Sequence, residues 1–402
     1  MKGAAATALY GSRAANGVIL ITTKQGRRQQ GLGINFSHTQ QWENVYRHPN
    51  FQNEFGIGSV PVWSLLPDGT PNRTIGLTNL SFGPRFDGEE FEIGGADGAV
   101  YTGTWAARPD NIRALYQTGR FINTSVAVSG GSDTGAFRFS YSNLQQTGIT
   151  LNNQFTRNNF ALNASQNLGQ AVTVRAGVTY VQSEGRNPTF QGEHFSPVYD
   201  FARHIPRMHN THYWRNNFWN ANKDGWNPDD PWGITSRFFE FFENNQIQRE
   251  ETYRGNVEIV VNFTNWLRLT TRGTMNRTYR VFENRRMADS MSAHGTSHFG
   301  GGSYRVDRFE SMQDSGLAML TAMHTVGDFS FTASLATERW HQDQSFHNSW
   351  TDGGLRAPGI FQLTNSVNHP RTDAFARINQ RRINSVFGLV NVSWRDQLYL
   401  DK

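Results

Sequence analysis

The sequence predicts a mostly β protein whose main sheet is the up-and-down, antiparallel wall of a transmembrane β-barrel. Three observations predict it. Polar and apolar residues alternate with period two along most of the 402 residues. The connections between the alternating segments are short and long by turns. The chain is also 13% aromatic yet hydrophilic on average, with a mean hydropathy of −0.59.

Composition removes several other classes. The longest apolar stretches, such as Val18 to Ile21, are only a few residues, whereas a membrane-spanning helix needs about 20. With no cysteine there is no disulfide framework, thiolate metal site or cysteine nucleophile. Thirty-eight Lys plus Arg against 33 Asp plus Glu give a formal charge of +5, with arginines scattered among carboxylates instead of gathered in one basic stripe, so no nucleic-acid partner is expected. Met1-Lys2 leads into small residues without an apolar core of a signal peptide, which fits either a cytoplasmic protein or one whose true N-terminus lies upstream. No H-E-x-x-H, Walker A, G-x-S-x-G or G-x-G-x-x-G motif occurs, so no enzyme is expected.

Residues 1–30 read as a small packed unit: an alanine-rich stretch from Lys2 to Tyr10, a turn at Gly11 to Arg13, Asn16-Gly17 as a tight hairpin turn, and a short strand Val18 to Thr23. Strands follow at about 32–42, 121–130, 135–145, 157–168, 170–184, 251–263, 266–284, 303–325, 328–341 and 381–394, with an eleventh starting near 397. Ile122, Thr124, Val126 and Val128 alternate with Asn123, Ser125, Ala127 and Ser129, and the same rhythm recurs in Val257, Ile259, Val261 and Phe263. Tight turns at 130–134, 168–170, around Asn265, at 326–328 and at 395–397 alternate with long connections 43–120, 146–156, 185–250, 285–302 and 342–380. Alternation alone fits a soluble sheet with one buried face equally well. Segregation of short turns to one end and long loops to the other decides for a barrel, because a sheet can cross hydrocarbon only as a closed cylinder with apolar residues outward and polar ones toward a wet lumen.

The stretch Lys2-Gly3-Ala4-Ala5-Ala6-Thr7-Ala8-Leu9-Tyr10-Gly11-Ser12-Arg13-Ala14-Ala15-Asn16-Gly17-Val18-Ile19-Leu20-Ile21-Thr22-Thr23-Lys24 resembles the end of the plug domain in SusC/RagA-type TonB-dependent outer-membrane transporters. Ser81-Phe82-Gly83-Pro84-Arg85-Phe86-Asp87-Gly88 is similar to that family's S-W-G-P-[KR]-[LF]-D-G segment. Ser129 to Asp133 with Phe137 to Asn143, Arg157 to Phe160 with Asn163 to Ser165, Asn265-Trp266-Leu267 and Arg382 to Gly388 extend the resemblance over essentially the whole chain.

The resemblance implies a bacterial outer-membrane location and a barrel of about 22 strands, plugged from its N-terminal side, that imports oligosaccharides or peptides with energy from TonB. It also implies a TonB complex contacting a region upstream of Met1, a SusD-like surface lipoprotein as partner, and lipid around the wall. On this reading residues 1–30 are the C-terminal end of the plug and its hinge, and 31–402 the first half of the barrel, about 10–11 of its strands, with long extracellular loops 43–120, 185–250 and 342–380. The chain is then an internal fragment with two unpartnered edge strands. Transport proceeds by TonB remodelling the plug.

Two sets of site residues follow. Gly3, Tyr10, Gly11, Arg13, Asn16 and Gly17 are expected to fix the backbone of the plug segment and anchor it to the wall. Tyr213, Trp214, Trp219, Trp226 and Trp232, among Asn and Asp in the 185–250 loop, are candidate substrate contacts, since aromatic faces stack on sugar rings; the plainer reading closes a small core within the loop. His204, His209 and His212 lack the partners of a metal site, so no metal is expected. Asn222, Asp224, Asn227, Asp229 and Asp230 lack the spacing of a calcium loop; a solvated turn is the simpler reading, a structural calcium the alternative, and no other cofactor is expected. The competing function is a soluble secreted or periplasmic β-rich glycan-binding protein using the Trp-rich loop. A passive porin fits poorly with a plug segment ahead of the first strand.

Overall fold

The computed structural model describes residues 24, 26, 29–76, 78, 80–94, 100–188, 205–287, 301–372, 377–395 and 398–401. The plug residues Gly3, Tyr10, Gly11, Arg13, Asn16 and Gly17, and His204, lie outside that set.

Fifteen strands are described: β1 (Gln29–Glu43), β2 (Thr74–Ile75), β3 (Glu90–Gly94), β4 (Val100–Thr104), β5 (Gly119–Gly131), β6 (Gly135–Thr147), β7 (Gln154–Leu168), β8 (Val172–Arg186), β9 (Asn245–Asn262), β10 (Leu267–Arg286), β11 (Ser303–Val326), β12 (Phe329–Trp350), β13 (Arg371–Thr372), β14 (Arg377–Trp394) and β15 (Leu398–Asp401). The main sheet runs β1-β5-β6-β7-β8-β9-β10-β11-β12-β14-β15, an antiparallel meander, with β13 paired to β12. β1 and β15 are not paired with each other, so the described sheet is open.

Each strand expected from residue 32 onward is present and in the expected order, whereas the strand expected at Val18 to Thr23 lies outside the described residues. Gly169 (φ 66°) and Gly327 (φ 57°) occupy the left-handed region in the β7–β8 and β11–β12 turns, where a Cβ would be strained. Two strands run six or more residues further than the pattern indicated. β9 begins at Asn245, not near 251, and β12 continues to Trp350, past 341. Toward the long loops the outward positions become polar (Arg249 and Glu251; Asp343 and Ser345), so the alternation fades while the hydrogen-bond ladder continues.

The described parts of the 43–120 and 185–250 connections are folded. β2–β4 form a separate three-stranded sheet, and the second connection carries helices α1 (Thr211–Asn216) and α2 (Ile234–Glu243). Two apolar cores tie these pieces together. One joins Ile112 and Leu115 from the first connection, Leu151 from the β6–β7 loop, and Ile205, Ile234 and Phe238 from the second. The other joins Ile57, Phe91, Ile93 and Trp105 to Met208. Together they form a cap at the long-loop end of the sheet.

Candidate functional site: outer wall, lumen face and cap

On one face the strands present a continuous apolar surface with nothing in the described chain to cover it. Ile34 and Phe36 on β1, Phe139 on β6, Leu162 on β7, Val178 on β8, Val257 on β9, Leu335 on β12 and Val386 on β14 are between 40% and 76% exposed. Such side chains stay exposed in water only at a cost of about 25 cal/mol per Å²; against acyl chains they cost nothing. The register explains their alignment: Ile34 pairs with Val128, Val128 with Phe139, Phe139 with Leu162, and Leu162 with Val178, so one parity faces outward on every strand.

An aromatic row crosses this face. Tyr141, Phe160, Tyr180 and Tyr253 are consecutive cross-strand partners with centroid separations of 4.7, 6.2 and 4.7 Å, and Tyr279 continues the row 6.3 Å beyond Tyr253. Just past the end of β9 the outward parity ends in Phe263, 57% exposed, at the short turn. Ten residues separate Tyr253 from Phe263, about 33 Å of strand at about 3.3 Å per residue. Tilted by about 40°, that spans about 25 Å, the height of the apolar band between the aromatic girdles of an outer-membrane barrel.

The opposite face is polar and ion-paired. Glu258 on β9 accepts from Arg175 on β8 at 2.7 Å and from Arg272 on β10 at 2.6 Å. Glu250 pairs with Arg280 at 2.6 Å. Lys24 lies over this face, its carbonyl accepting from the Asn163 side chain at 3.4 Å, so the described end of the N-terminal segment meets the lumen side of β7.

In the cap, Arg207 is the polar centre. Its guanidinium donates to the Gln52 carbonyl, the Asn53 and Asn111 side chains and the Pro109 carbonyl, binding both connections, and burial lowers its pKa below the usual arginine value. Asp230 is fully buried and accepts from the backbone N–H groups of Ile234 (2.8 Å) and Thr235 (3.2 Å), capping α2, while His209 lies 3.2 Å from its other oxygen and 2.8 Å from Thr211. His212 reaches the Asp110 carbonyl at 3.3 Å. Asp224 is bonded to the Asn220 side chain at 2.6 Å. Among the described residues, no three His, Asp or Glu side chains are gathered as a metal cluster.

The five aromatic candidates divide. Trp214 is buried and packs edge-on with Tyr213 at 5.0 Å. Trp232 packs against both cores, edge-on to His209 (5.3 Å) and Tyr101 (5.7 Å). Trp219 meets Phe239 at 4.9 Å and pairs its backbone with Trp226, and both indoles are half-buried. Tyr213 is 53% exposed. The structure thus gathers the five in one cap, with Trp214 buried, Trp219, Trp226 and Trp232 half-buried and Tyr213 exposed. Arg207 was not singled out by sequence, since a lone Arg between Pro206 and Met208 carries no pattern.

No family model matches the chain. Over 286 residues it is 26% identical to "TonB-dependent receptor P3" of Formosa agariphila, covering 67% of this chain and 23% of that protein. A 37-residue segment is 54% identical to "TonB-dependent receptor SusC" of Bacteroides thetaiotaomicron, covering 9% of this chain and 4% of that protein. The fold matches the RagAB peptide importer in its "open-open" state with a TM-score of 0.66 at 15% identity, over 100% of this chain and 44% of that one. The "closed-closed" state gives a TM-score of 0.64 at 16% identity with the same coverage. The chain is thus similar in sequence to TonB-dependent receptors, SusC among them, and similar in fold to the RagAB chain. It spans about a quarter of the length of the first of these relatives and under half of the RagAB chain. The large meander matches part of the RagAB barrel fold, and the resemblance to the SusC/RagA type read from the sequence agrees with these relatives.

Proposed function

We propose that this chain supplies wall, cap and plug connection to a bacterial outer-membrane transporter that imports large nutrients, oligosaccharides or peptides, with energy from TonB. The observation that carries the reading is the outward apolar face bounded by the Tyr141–Tyr253 row and Phe263, together with a folded cap at the long-loop end and an ion-paired face on the other side. Substrate is bound at the cap and upper lumen, where Tyr213, Trp219 and Trp226 offer aromatic faces; the plug segment, whose Gly3, Tyr10, Gly11, Arg13, Asn16 and Gly17 hold it against the wall, moves to open the path. A SusD-like surface lipoprotein closes over the cap, and the exposed apolar side chains Val60, Val62, Leu65 and Phe82 of the first connection give it a surface to meet. A soluble glycan-binding protein would have no use for an uncovered apolar wall of this height.

The test is uptake of labelled oligosaccharides and labelled peptides by cells carrying or lacking the protein, in TonB-competent and TonB-deficient backgrounds. The reading expects uptake of one class that needs both the protein and TonB. Undiminished uptake without TonB, or recovery of the protein from the soluble fraction, contradicts it.

A further inference from the structure

A groove of about 390 Å³ is cut into the outward face between β9 and β12, lined by Val257, Ile259, Gly273, Gly316, Thr337 and Arg339. Gly273 and Gly316 are direct cross-strand partners, and Gly316 in turn pairs with Arg339. Glycine weakens a strand interior and often marks a place where another group comes close. Nothing among the described residues demands it here: an added Cβ at Gly316 would meet no atom within 4 Å, and one at Gly273 only an ordinary contact with Val257 at 3.5 Å. The groove is therefore shaped for something outside the described chain.

The rim carries charge of one sign. Arg339 on β12 and Arg382 on β14 share the outward parity of Leu335 and Val386, are exposed, and have no ion-pair or hydrogen-bond partner among the described residues. Arg339 pairs in register with Asn384 and Arg382 with His341, so the two arginines are diagonal neighbours, about 7–8 Å apart. The outward carboxylates nearest them are already matched, Asp314 by Arg277 and Asp343 by His341, each at 3.2 Å. Two guanidiniums are left over. Arg339 is ten residues along β12 from Phe329 at the short turn, about 33 Å of strand and so about 25 Å of height, the far edge of the apolar band. An arginine deeper in the band would destabilise the wall; at this edge it meets headgroups. Arginine matches phosphate oxygens with a planar fork of donors.

We propose that this groove holds one acyl chain of a phosphate-bearing glycolipid of the outer leaflet, with the phosphate on Arg339 and Arg382 and the chain running down past Gly316 and Gly273 toward Ile259. The assignment rests on the outer-membrane reading and adds a lipid site to it.

The test uses the protein extracted from outer membranes in mild detergent, with native mass spectrometry as readout and lipid A as probe. One phosphorylated lipid A is expected to stay bound, with at least a tenfold weaker affinity for the dephosphorylated glycolipid, for Arg339→Gln/Arg382→Gln, and for Gly316→Leu, which fills the groove. Gly316→Leu should weaken both forms of the lipid, whereas the arginine pair should weaken only the phosphorylated one. Equal retention by all variants overturns the proposal, as does a change in oligomeric state with Gly316→Leu and no bound lipid, which would mean a second copy sits there. Heat-modifiable migration of every variant shows that the barrel still forms in the outer membrane; its loss in the unmodified protein would sink the underlying reading instead.

Discussion

Tyr180 and Tyr253 face each other in register across β8 and β9, ring centroids 4.7 Å apart on the outward side of the sheet. Such a pair contributes about 0.5–1.5 kcal/mol beyond its area, but its position says more than its energy. It is the middle of a row crossing four adjacent strands and continued by Tyr279, and it lies one membrane height from the short turns.

Val257 stands about half-way down that band. Val257→Arg should destabilise the inserted barrel by about 2–4 kcal/mol, while Thr274→Arg on the inward face of the neighbouring strand should have little effect. Denaturant titration of the protein in lipid vesicles, followed by tryptophan emission, reads the difference. Equal effects at the two sites would mean that the outward face does not meet hydrocarbon.

Asp230 holds the start of α2. Asp230→Ala removes the acceptor of the Ile234 and Thr235 N–H groups and leaves His209 short of a buried partner, which should cost the cap about 1–3 kcal/mol. Amide exchange should accelerate in α2 and around His209 and stay unchanged in β8 to β10. Uniform acceleration throughout the sheet would contradict a separately cooperative cap.

Glu243, at the end of α2, is held above the ordinary carboxylate value by burial, with a bond from Trp219 opposing the shift only in part. The folded cap therefore favours the protonated form: the group's contribution is full below the unfolded value of about 4.3 and is lost as pH rises through the folded value. Cap protection measured by amide exchange should fall over that rise, and Glu243→Gln should remove this part of the dependence and stabilise α2 at pH 7. A Gln variant less protected than the parent at pH 7 would reverse the assigned sign.

The aromatic cluster separates into packing and contact residues. Trp214→Ala opens a cavity in the cap and should cost about 3–5 kcal/mol. Trp226→Ala should leave thermal stability within about 1 kcal/mol while weakening several-fold the binding of whichever labelled oligosaccharide or peptide the uptake experiment identifies. Isothermal titration of both variants decides: loss of binding only in the Trp214 variant would assign the aromatic group to structure alone.

How much of this was legible differs between wall and cap. The strands were readable because a residue facing hydrocarbon must be apolar and its neighbours need not be, so Val257, Ile259, Val261 and Phe263 announce themselves. Above the band that constraint ends, which is why the extensions of β9 back to Asn245 and β12 on to Trp350 left no pattern. The cap was hidden for a related reason. Its strands are two to five residues long, too short for a period, and its cores draw Trp105, Met208 and Phe238 from segments far apart in sequence. The Trp-rich loop stood out by composition, but the packing of Trp232 depends on partners such as Tyr101 that no local spacing reveals. In sequence Asp230 stands only among five candidate calcium ligands; its role at the start of α2 depends on Ile234 beginning a helix.

The most direct test of the account uses the absence of native cysteine in this sequence. Single cysteines placed in turn from 253 to 263 on β9 would be spin-labelled in the membrane-inserted protein, and their collision with oxygen and with a water-soluble nickel chelate compared. The account predicts that the odd positions favour oxygen, most strongly near 257 and 259, and the even positions the chelate, in strict alternation. Chelate access at both parities, or exclusion of both reagents from the odd positions as in a protein core, would contradict a lipid-facing wall.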